Sequence, residues 1–430
     1  MTEAAPVRTR PRDRRSHITR AAVDAFAARG FHAVQMCEVA EAVGITAPAI
    51  YRHFPNKRAL LADVVLEAVT DMRAAVAAAR TRSGPPDHAL AEVIATLAAG
   101  AVGAHHGVTT LWKREGRALP EGARGRLRGL LQTINTEVAG ALTAVRPDLA
   151  AADAPEDARH RWSGPAGGAA AGSDADLLAR AVVAVTTCLS HHRLPEPADR
   201  TTGLLRAMAH AVAVAELPPA PSQVPGAAAS RPAETVVDGA PASTGRPPRR
   251  EELLAAAARL FRERGYADVS VADLGAAVSV TGPSVYAHFA SKREILAVLL
   301  ARTVESLALA TGAALAAAAG PDDAVDRLLR GYTGFALAHT DLLSVSLTEV
   351  ALLPEAARPD IHRARRDFIT EWIGAVRRLR PGLDATAARV RVYGAMSVIN
   401  DLVQVRALRE RGDLDECLIA VGRAVLTAAS

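Results

Sequence analysis

Apolar residues recur at helical spacing along most of the chain. Ile18, Ala22, Ala25 and Phe26 stand at i, i+4, i+7 and i+8 and the series stops at Gly30; Leu253, Ala257, Leu260 and Phe261 repeat it before Gly265. Such spacing draws one apolar stripe along a helix, and a glycine just past the stripe is a common stop. The same reading predicts longer helices at about 57–81, 86–104, 121–146, 174–192 and 198–216, and at about 292–319, 322–338, 355–379, 384–410 and 414–428. No segment asks to be a strand, so the expected fold class is all-α.

The two sets of helices reflect an internal repeat. Sliding residues 14–69 onto 249–304 without a gap pairs about 20 identities in 56 positions. Scarce aromatic residues fall into register as Phe26/Phe261, Phe31/Tyr266, Tyr51/Tyr286 and Phe54/Phe289. A second echo, one residue out of step with the first, matches Glu115, Leu119, Pro120, Glu121 and Arg124 with Glu349, Leu353, Pro354, Glu355 and Arg358. Residues 218–248 between the halves are rich in Pro, Ala, Gly and Ser, the composition of a linker.

Composition narrows the class. Half of the residues are hydrophobic but only 3% are aromatic, and the excess is Ala, the strongest helix former. The uncharged, mostly Ala stretch from Ser306 to Pro321 is short of the ~20 apolar residues that span a bilayer. Arg8, Arg10, Arg12, Arg14 and Arg15 at the N-terminus have no apolar core behind them, so no secretory signal is read there. Cys37, Cys188 and Cys417 form neither a disulfide framework nor a metal spacing, which fits a reducing, cytoplasmic setting. His105-His106 and His191-His192 are adjacent pairs pointing about 100° apart on a helix, poor chelates, and no metal is expected. The net charge is a modest +5, but both repeat windows, 1–69 and 246–304, carry an excess of three basic residues.

The motif with chemistry in it runs from Val39 to Phe54: a short helix, a tight turn at Gly44, then a second short helix opened by Thr46 with Pro48 in its first turn. That is the grammar of a helix-turn-helix, in which the second helix enters the major groove and the first crosses the backbone. Thr46 is expected to supply an N-cap hydroxyl. Asn56 and Ser291 read as N-caps of the next helix, each followed by Lys-Arg, Lys57-Arg58 and Lys292-Arg293. Cations at the positive end of a helix dipole are disfavoured by about 0.3–1 kcal/mol, and a phosphate seated there would explain them. Only three lysines occur in the chain, and two occupy this position.

Both copies resemble the N-terminal DNA-binding domain of TetR-type bacterial transcriptional regulators. The resemblance rests on Gly30-Phe31, Val39-Ala40, Val43-Gly44-Ile45-Thr46, Tyr51-Arg52-His53-Phe54 and Asn56-Lys57, and on their counterparts Gly265-Tyr266, Val278, Val280-Thr281-Gly282, Tyr286, His288-Phe289 and Ser291-Lys292. It implies helix-turn-helix domains at 14–60 and 249–295, helical regulatory domains at 61–217 and 296–430, and the linker at 218–248. It also implies a double-stranded operator, an apolar or amphipathic effector, and repression as the output. By resemblance Thr46, Ala47, Pro48, Ala49, Tyr51, Arg52, His53 and Lys57 would face DNA in one copy. Thr281, Gly282, Pro283, Ser284, Tyr286, His288 and Lys292 would do so in the other. The second copy departs from the pattern: Ser279 stands where the turn wants Gly, Gly275 replaces a packing Ala, and Ala287 replaces Arg52, so the first motif is expected to bind more strongly.

Family members pair as homodimers, so a chain with both halves is expected either to fold as its own pseudo-dimer or to pair with a second chain and present four motifs. A linker of about 30 residues has a flexible span near 30 Å, which permits several arrangements. Trp112, Arg114, Glu115 and Arg117 in the first half and Tyr332, Phe335, Trp372, Tyr393 and Asn400 in the second are candidate effector-pocket residues; packing within the helical bundle is the plainer account of each. The Arg-rich arm could reach a minor groove or stay solvated. No catalytic motif or cofactor loop is found, which leaves a helical small-molecule-binding or scaffold protein with degenerate motifs as the alternative to a DNA-binding regulator.

Overall fold

A computed structural model describes residues 11–31, 33–82, 84–103, 106–151, 171–191, 196–219, 248–353 and 357–429. Arg8, Arg10, His105, His192, Pro354, Glu355 and almost all of the 218–248 segment lie outside them. The described residues form helices and no strands. The first half contains α1 (Pro11–Arg29), α2 (Met36–Ala42), α3 (Ala47–Tyr51), α4 (Lys57–Arg80) and α5 (Pro86–Val102). It continues with α6 (His106–Glu115), α7 (Glu121–Val145), α8 (Asp148–Ala151), α9 (Asp174–Thr186) and α10 (Ala198–Ala213). The second half repeats the opening with α11 (Arg249–Arg264), α12 (Val271–Ala277), α13 (Gly282–Val285) and α14 (Lys292–Ala316). It then has α15 (Pro321–Ala338), α16 (Thr340–Thr348), α17 (Arg358–Leu379), α18 (Ala385–Leu402), α19 (Arg406–Arg409) and α20 (Leu414–Thr427).

The helix ends follow local chemistry. Gly30 and Gly265 both take φ of 85° where α1 and α11 stop, a left-handed value that glycine adopts without strain. Asn56 caps α4 by accepting from the Ala59 N–H at 2.8 Å, and Ser291 caps α14 by accepting from Glu294 N–H at 3.2 Å. Three helices, α6, α8 and α16, were not foreseen. The α6 and α16 sequences hold glycine, serine and β-branched residues, poor helix formers, but Val108 and Leu111 in one and Leu343 and Val345 in the other are buried. Burial against α1 and α11 outweighs propensity there. The expected helix over 384–410 breaks between Leu402 and Arg406, so α18 and α19 are separate.

Packing divides the chain differently from the repeat. Residues 1–170 and 186–210 form one compact unit, and 171–185 together with 211–430 form the other. Helix α9, from the first half, therefore belongs to the second unit. Ala175, Leu177, Leu178, Ala179, Ala181, Val182 and Val185 are fully buried, and its charged residues are paired, Asp176 with Arg180 at 3.0 Å and Asp174 with Arg411, the mark of a core helix. Arg411 holds its start: the guanidinium donates to the Gly172 carbonyl at 2.9 Å and pairs with Asp174 and Asp413 at 2.8 Å each. Gly172 has φ of 85°, and a Cβ there would lie 3.0 Å from the Ala407 carbonyl oxygen. Further along α9, Ser397 Oγ donates to the Ala184 carbonyl at 3.2 Å.

Among the described residues α14 has the length and apolarity of a membrane-spanning helix. Its inner face, Ile295, Leu296, Leu299, Leu300, Val304 and Leu307, is buried within the second unit.

Candidate nucleic-acid interface

The duplicated residues build the same small domain twice. Ile50 and Phe54 are buried, with Val285 and Phe289 in their places in the other copy. With those side chains turned inward, Tyr51 and Tyr286 one residue further round are turned out, 52% and 56% exposed. Thr46, Pro48, Arg52, Thr281, Pro283, Ser284 and His288 are also exposed, and Ala47, Ala49, His53 and Gly282 are half-buried. Both copies thus present a short helix whose outer side carries a hydroxyl-bearing ring, small residues and an imidazole.

The supporting contacts are duplicated as well. Phe26 meets Phe31 edge-on at 5.5 Å, and Phe261 meets Tyr266 at 5.1 Å. Arg15 lies over the Phe54 ring at 4.5 Å and Arg250 over Phe289 at 4.7 Å. At the start of α2 the Gln35 N–H donates to Glu38 at 2.5 Å, and Glu38 pairs with Arg29 at 2.6 Å. Ser270, Asp273 and Arg264 repeat this arrangement. These bonds hold the Glu38 and Asp273 carboxyls below their ordinary pKa; the Gln35 N–H is the largest cause for the first and the Ser270 hydroxyl for the second.

Three expected roles change in the structure. Thr46 sits at the N-cap with extended backbone, but its hydroxyl makes no capping bond. The turn is so short that the Ala49 N–H is already taken by the Thr46 carbonyl at 2.9 Å, and Pro48 has no N–H to offer. In the second copy the Thr281 and Ser284 hydroxyls bond each other at 2.8 Å.

The lysines face inward. Lys57 Nζ donates to the Phe31 and Val34 carbonyls at 2.7 and 2.8 Å and lies 4.6 Å above the Phe31 ring. Lys292 does the same with Tyr266 and Val269, at 2.8 and 2.6 Å, and lies 4.2 Å above the Tyr266 ring. Burial lowers the pKa of both amines. In place of the anionic partner inferred from the dipole argument, the amines have the domain's own loop carbonyls, neutral acceptors. The exposed cations beside them are Arg58 and Arg293.

Glu115, expected in an effector pocket, is buried and accepts from the Phe31 N–H at 3.3 Å. Its charge acts on Lys57, as that of the buried Glu349 acts on Lys292. The second echo in the sequence is therefore a carboxylate at the end of α6 or α16, set against the lysine loop of the reading domain. The same helices touch the first helix of each domain. A Cβ on Gly107 of α6 would come within 2.8 Å of Val23 on α1, and Arg262 of α11 pairs with Asp341 of α16.

The turns differ between copies as their sequences suggested. Gly44 takes φ of 66°, and Ser279 is forced to φ of 60°, the one non-glycine residue in that region among those described. Gly275 is needed in the second copy, because a Cβ would stand 2.8 Å from the Val280 carbonyl oxygen.

Against known proteins, residues 18–64 and 253–299 each match the family described as "Bacterial regulatory proteins, tetR family". Both helix-turn-helix units lie within these matched stretches. The TetR match extends to the HTH-type transcriptional regulator CymR of Pseudomonas putida, 30% identical over 129 residues, 29% of this chain; the chain spans 64% of the length of that relative. Among solved structures, a TetR-family regulator from Bordetella parapertussis 12822 is similar, with 23% identity, TM-score 0.40, and coverage of 42% of this chain and 94% of its own. The ketosteroid transcriptional regulator KstR2 of Mycobacterium tuberculosis gives 20% identity, TM-score 0.39, and 43% and 98% coverage.

Of the other candidates, Tyr332, Trp372 and Asn400 come together in the second unit: the Tyr332 hydroxyl donates to Asn400 Oδ1 at 2.8 Å, and the Trp372 ring is 5.8 Å away. Sequence reasoning missed Phe368, which completes the group at 6.2 Å from both rings. Its i−4 spacing from Trp372 was the available signal. Tyr393 is half-buried, and Phe335 packs instead on His339 at 4.9 Å. Trp112 and Arg117 are half-buried; the Arg114 side chain lies outside the described residues.

Proposed function

We propose that this protein is a transcriptional repressor that grips double-stranded operator DNA through both TetR-family domains, with an effector bound in its helical regions releasing it. The observation that carries the reading is the doubled outer face of α3 and α13, where Tyr51 and Tyr286 stand exposed at corresponding places while every neighbouring anchor is buried. Exposed rings at the tip of a short helix are costly in water and suit contact with a sugar-phosphate backbone. Thr46, Ala47, Pro48 and Ala49, and Thr281, Gly282, Pro283 and Ser284, would meet base edges; Tyr51, Arg52 and His53, with Tyr286 and His288, would meet phosphates. The lysines act here as internal ties.

The proposal includes pairing of the halves within one chain. Helix α9, contributed by the first half and clasped by Arg411 in the second unit, supports it. Light scattering should then give one chain of 44.9 kDa per particle. A particle of twice that mass rejects this part.

DNA binding is tested by fluorescence anisotropy on the gene's own upstream region. Arg52→Ala should weaken binding and flatten the log–log salt slope by about one. Tyr51→Ala should cost more than Tyr286→Ala, because the second motif lacks Arg52 and holds a strained turn. Absence of binding at 50 mM salt would favour a helical scaffold with vestigial motifs.

A further inference from the structure

The first unit carries a row of carboxylates that its own fold leaves short of cations. Asp63, Glu67 and Asp71 stand at i, i+4 and i+8 on one face of α4 and line an open groove of about 1120 Å³. Arg15 and Ser16 of α1 and Arg126 of α7 line it too. Asp63 is paired with Arg15 at 2.7 Å. Glu67 and Asp71 are exposed and have neither an ion pair nor a hydrogen bond among the described residues, and Arg126 reaches neither of them.

The second half closes the same place with its own residues. Arg302 of α14 stands at the position of Glu67 and donates to Glu251 of α11, at the position of Ser16, at 2.5 and 2.8 Å. Val298 and Ser306 stand where the first half has Asp63 and Asp71. The bridge marks where the first and fourth helices of this small domain approach each other, and in the first half it is Ser16 that meets Glu67, with no counter-charge to give. The acidic row is thus a feature of one copy, without the cation that the other copy builds in.

The chain itself brings cations to this point. Arg15, near the start of α1, pairs with Asp63, and Phe31, just past its end, accepts from Lys57. Helices α1 and α4 therefore run in opposite senses, and the start of α1 points along α4 towards Glu67 and Asp71. Residues 1–10, outside the described ones, join α1 there at Pro11 and carry Arg8 and Arg10 against the single acid Glu3. The spacings match. From Arg15 back to Arg10 is about 7.5 Å at helical rise, and from Asp63 on to Glu67 is about 6 Å. Alternate residues of an extended segment lie on one side about 6.7 Å apart, and Asp71 is about 6 Å further along α4.

We propose that in the chain free of DNA residues 1–10 lie back along this groove, with Arg10 on Glu67 and Arg8 on Asp71, continuing the register set by Arg15 and Asp63. The arm is then stored against the first reading domain by the carboxylates of α4. Exposed pairs of this kind are weak one at a time, but the tether holds the arm at an effective concentration of about millimolar, and the two pairs act together. Docking of the arm needs no effector and no operator. A duplex carries a denser row of negative charge and competes for the same arginines, so release of the arm and binding of DNA are linked.

Limited trypsin digestion of the full chain without DNA tests this, with cleavage after Arg8 followed by mass spectrometry and a free peptide of residues 1–14 as the reference. At about 20 mM salt the parent should be cut about fivefold or more slowly than a Glu67→Gln, Asp71→Asn variant, and at about 500 mM salt, where exposed charges are screened, the two should be cut alike. Ser16→Glu combined with Glu67→Arg, which copies the bridge of the second half, should free the arm in the same way. Thermal unfolding within a few degrees of the parent shows that these variants are folded; should one fail, the salt series of the parent against the peptide decides alone. Cleavage equally fast in parent, variants and peptide overturns the proposal. Protection that survives the variants and high salt places the arm elsewhere and overturns it as well, as does protection that grows with protein concentration, which would seat the arm on a second copy.

Discussion

Replacing Lys57 with Met keeps the aliphatic stem and removes the charge, and it separates two jobs the amine could do. In the structure Lys57 makes two charge-assisted bonds to the Phe31 and Val34 carbonyls and sits over the Phe31 ring. Bonds from a charged donor contribute about 1.5–3 kcal/mol each, and the cation–ring contact about 0.5–1. Lys57 is only half-buried, so water reaches the loop carbonyls once the amine is gone and returns much of this. A net loss of about 2–3 kcal/mol remains, which for a unit of this size lowers the melting transition by about 5–10 °C. Circular dichroism of the full chain without DNA measures it, and Lys292→Met should soften the second half in the same way. A melting curve that does not move, together with a salt slope of DNA binding flattened by about 0.9, would refute the reasoning and make the lysine a phosphate ligand.

Ser279→Gly relieves a left-handed serine and should stabilise the second half by about 0.5–1 kcal/mol, whereas Gly275→Ala should destabilise it by more than that; chemical denaturation compares the two. Glu38 and Asp273 have pKa values lowered by their hydrogen bonds, so their stabilisation is full above the ordinary carboxylate range and is lost as pH falls through the lowered values. Melting between pH 6 and 3 should therefore drop more steeply in the parent than in a Glu38→Gln, Asp273→Asn variant. Cys417 is buried with its thiol pushed up to about 12 and Cys188 is buried, so a thiol reagent at pH 8 should label Cys37 alone in the native chain. Rapid labelling of two or more thiols would contradict that.

Much of the reading domain was legible in the residues themselves. Helix stops at Gly30 and Gly265, caps at Asn56 and Ser291 and the strained turn at Ser279 each depend on one or two neighbouring positions, which sequence displays. The dipole argument for Lys57 compares a cation with the helix behind it, while the partners it has in the structure lie 26 and 23 residues upstream in a loop. The matched aromatic at Phe31 and Tyr266 was the clue, since a ring recurring with a lysine allows a cation above its face. Glu115 was assigned to an effector pocket because its segment looked like sensor helix, and only folding reveals that it reaches back to Phe31. The helices α6 and α16 were invisible for the same reason: weak propensity, rescued by burial.

The clasp on α9 has a consequence for how such a molecule behaves at low concentration. Separate subunits fall apart on dilution and trade partners with relatives that share their interface, so their occupancy of a target varies with expression. Under the pairing proposed above, a helix from the first half that packs in the second unit is joined to it by its own backbone, so that pairing would not be lost on dilution. Each newly made chain would then be competent alone, and a damaged copy could not poison a sound one.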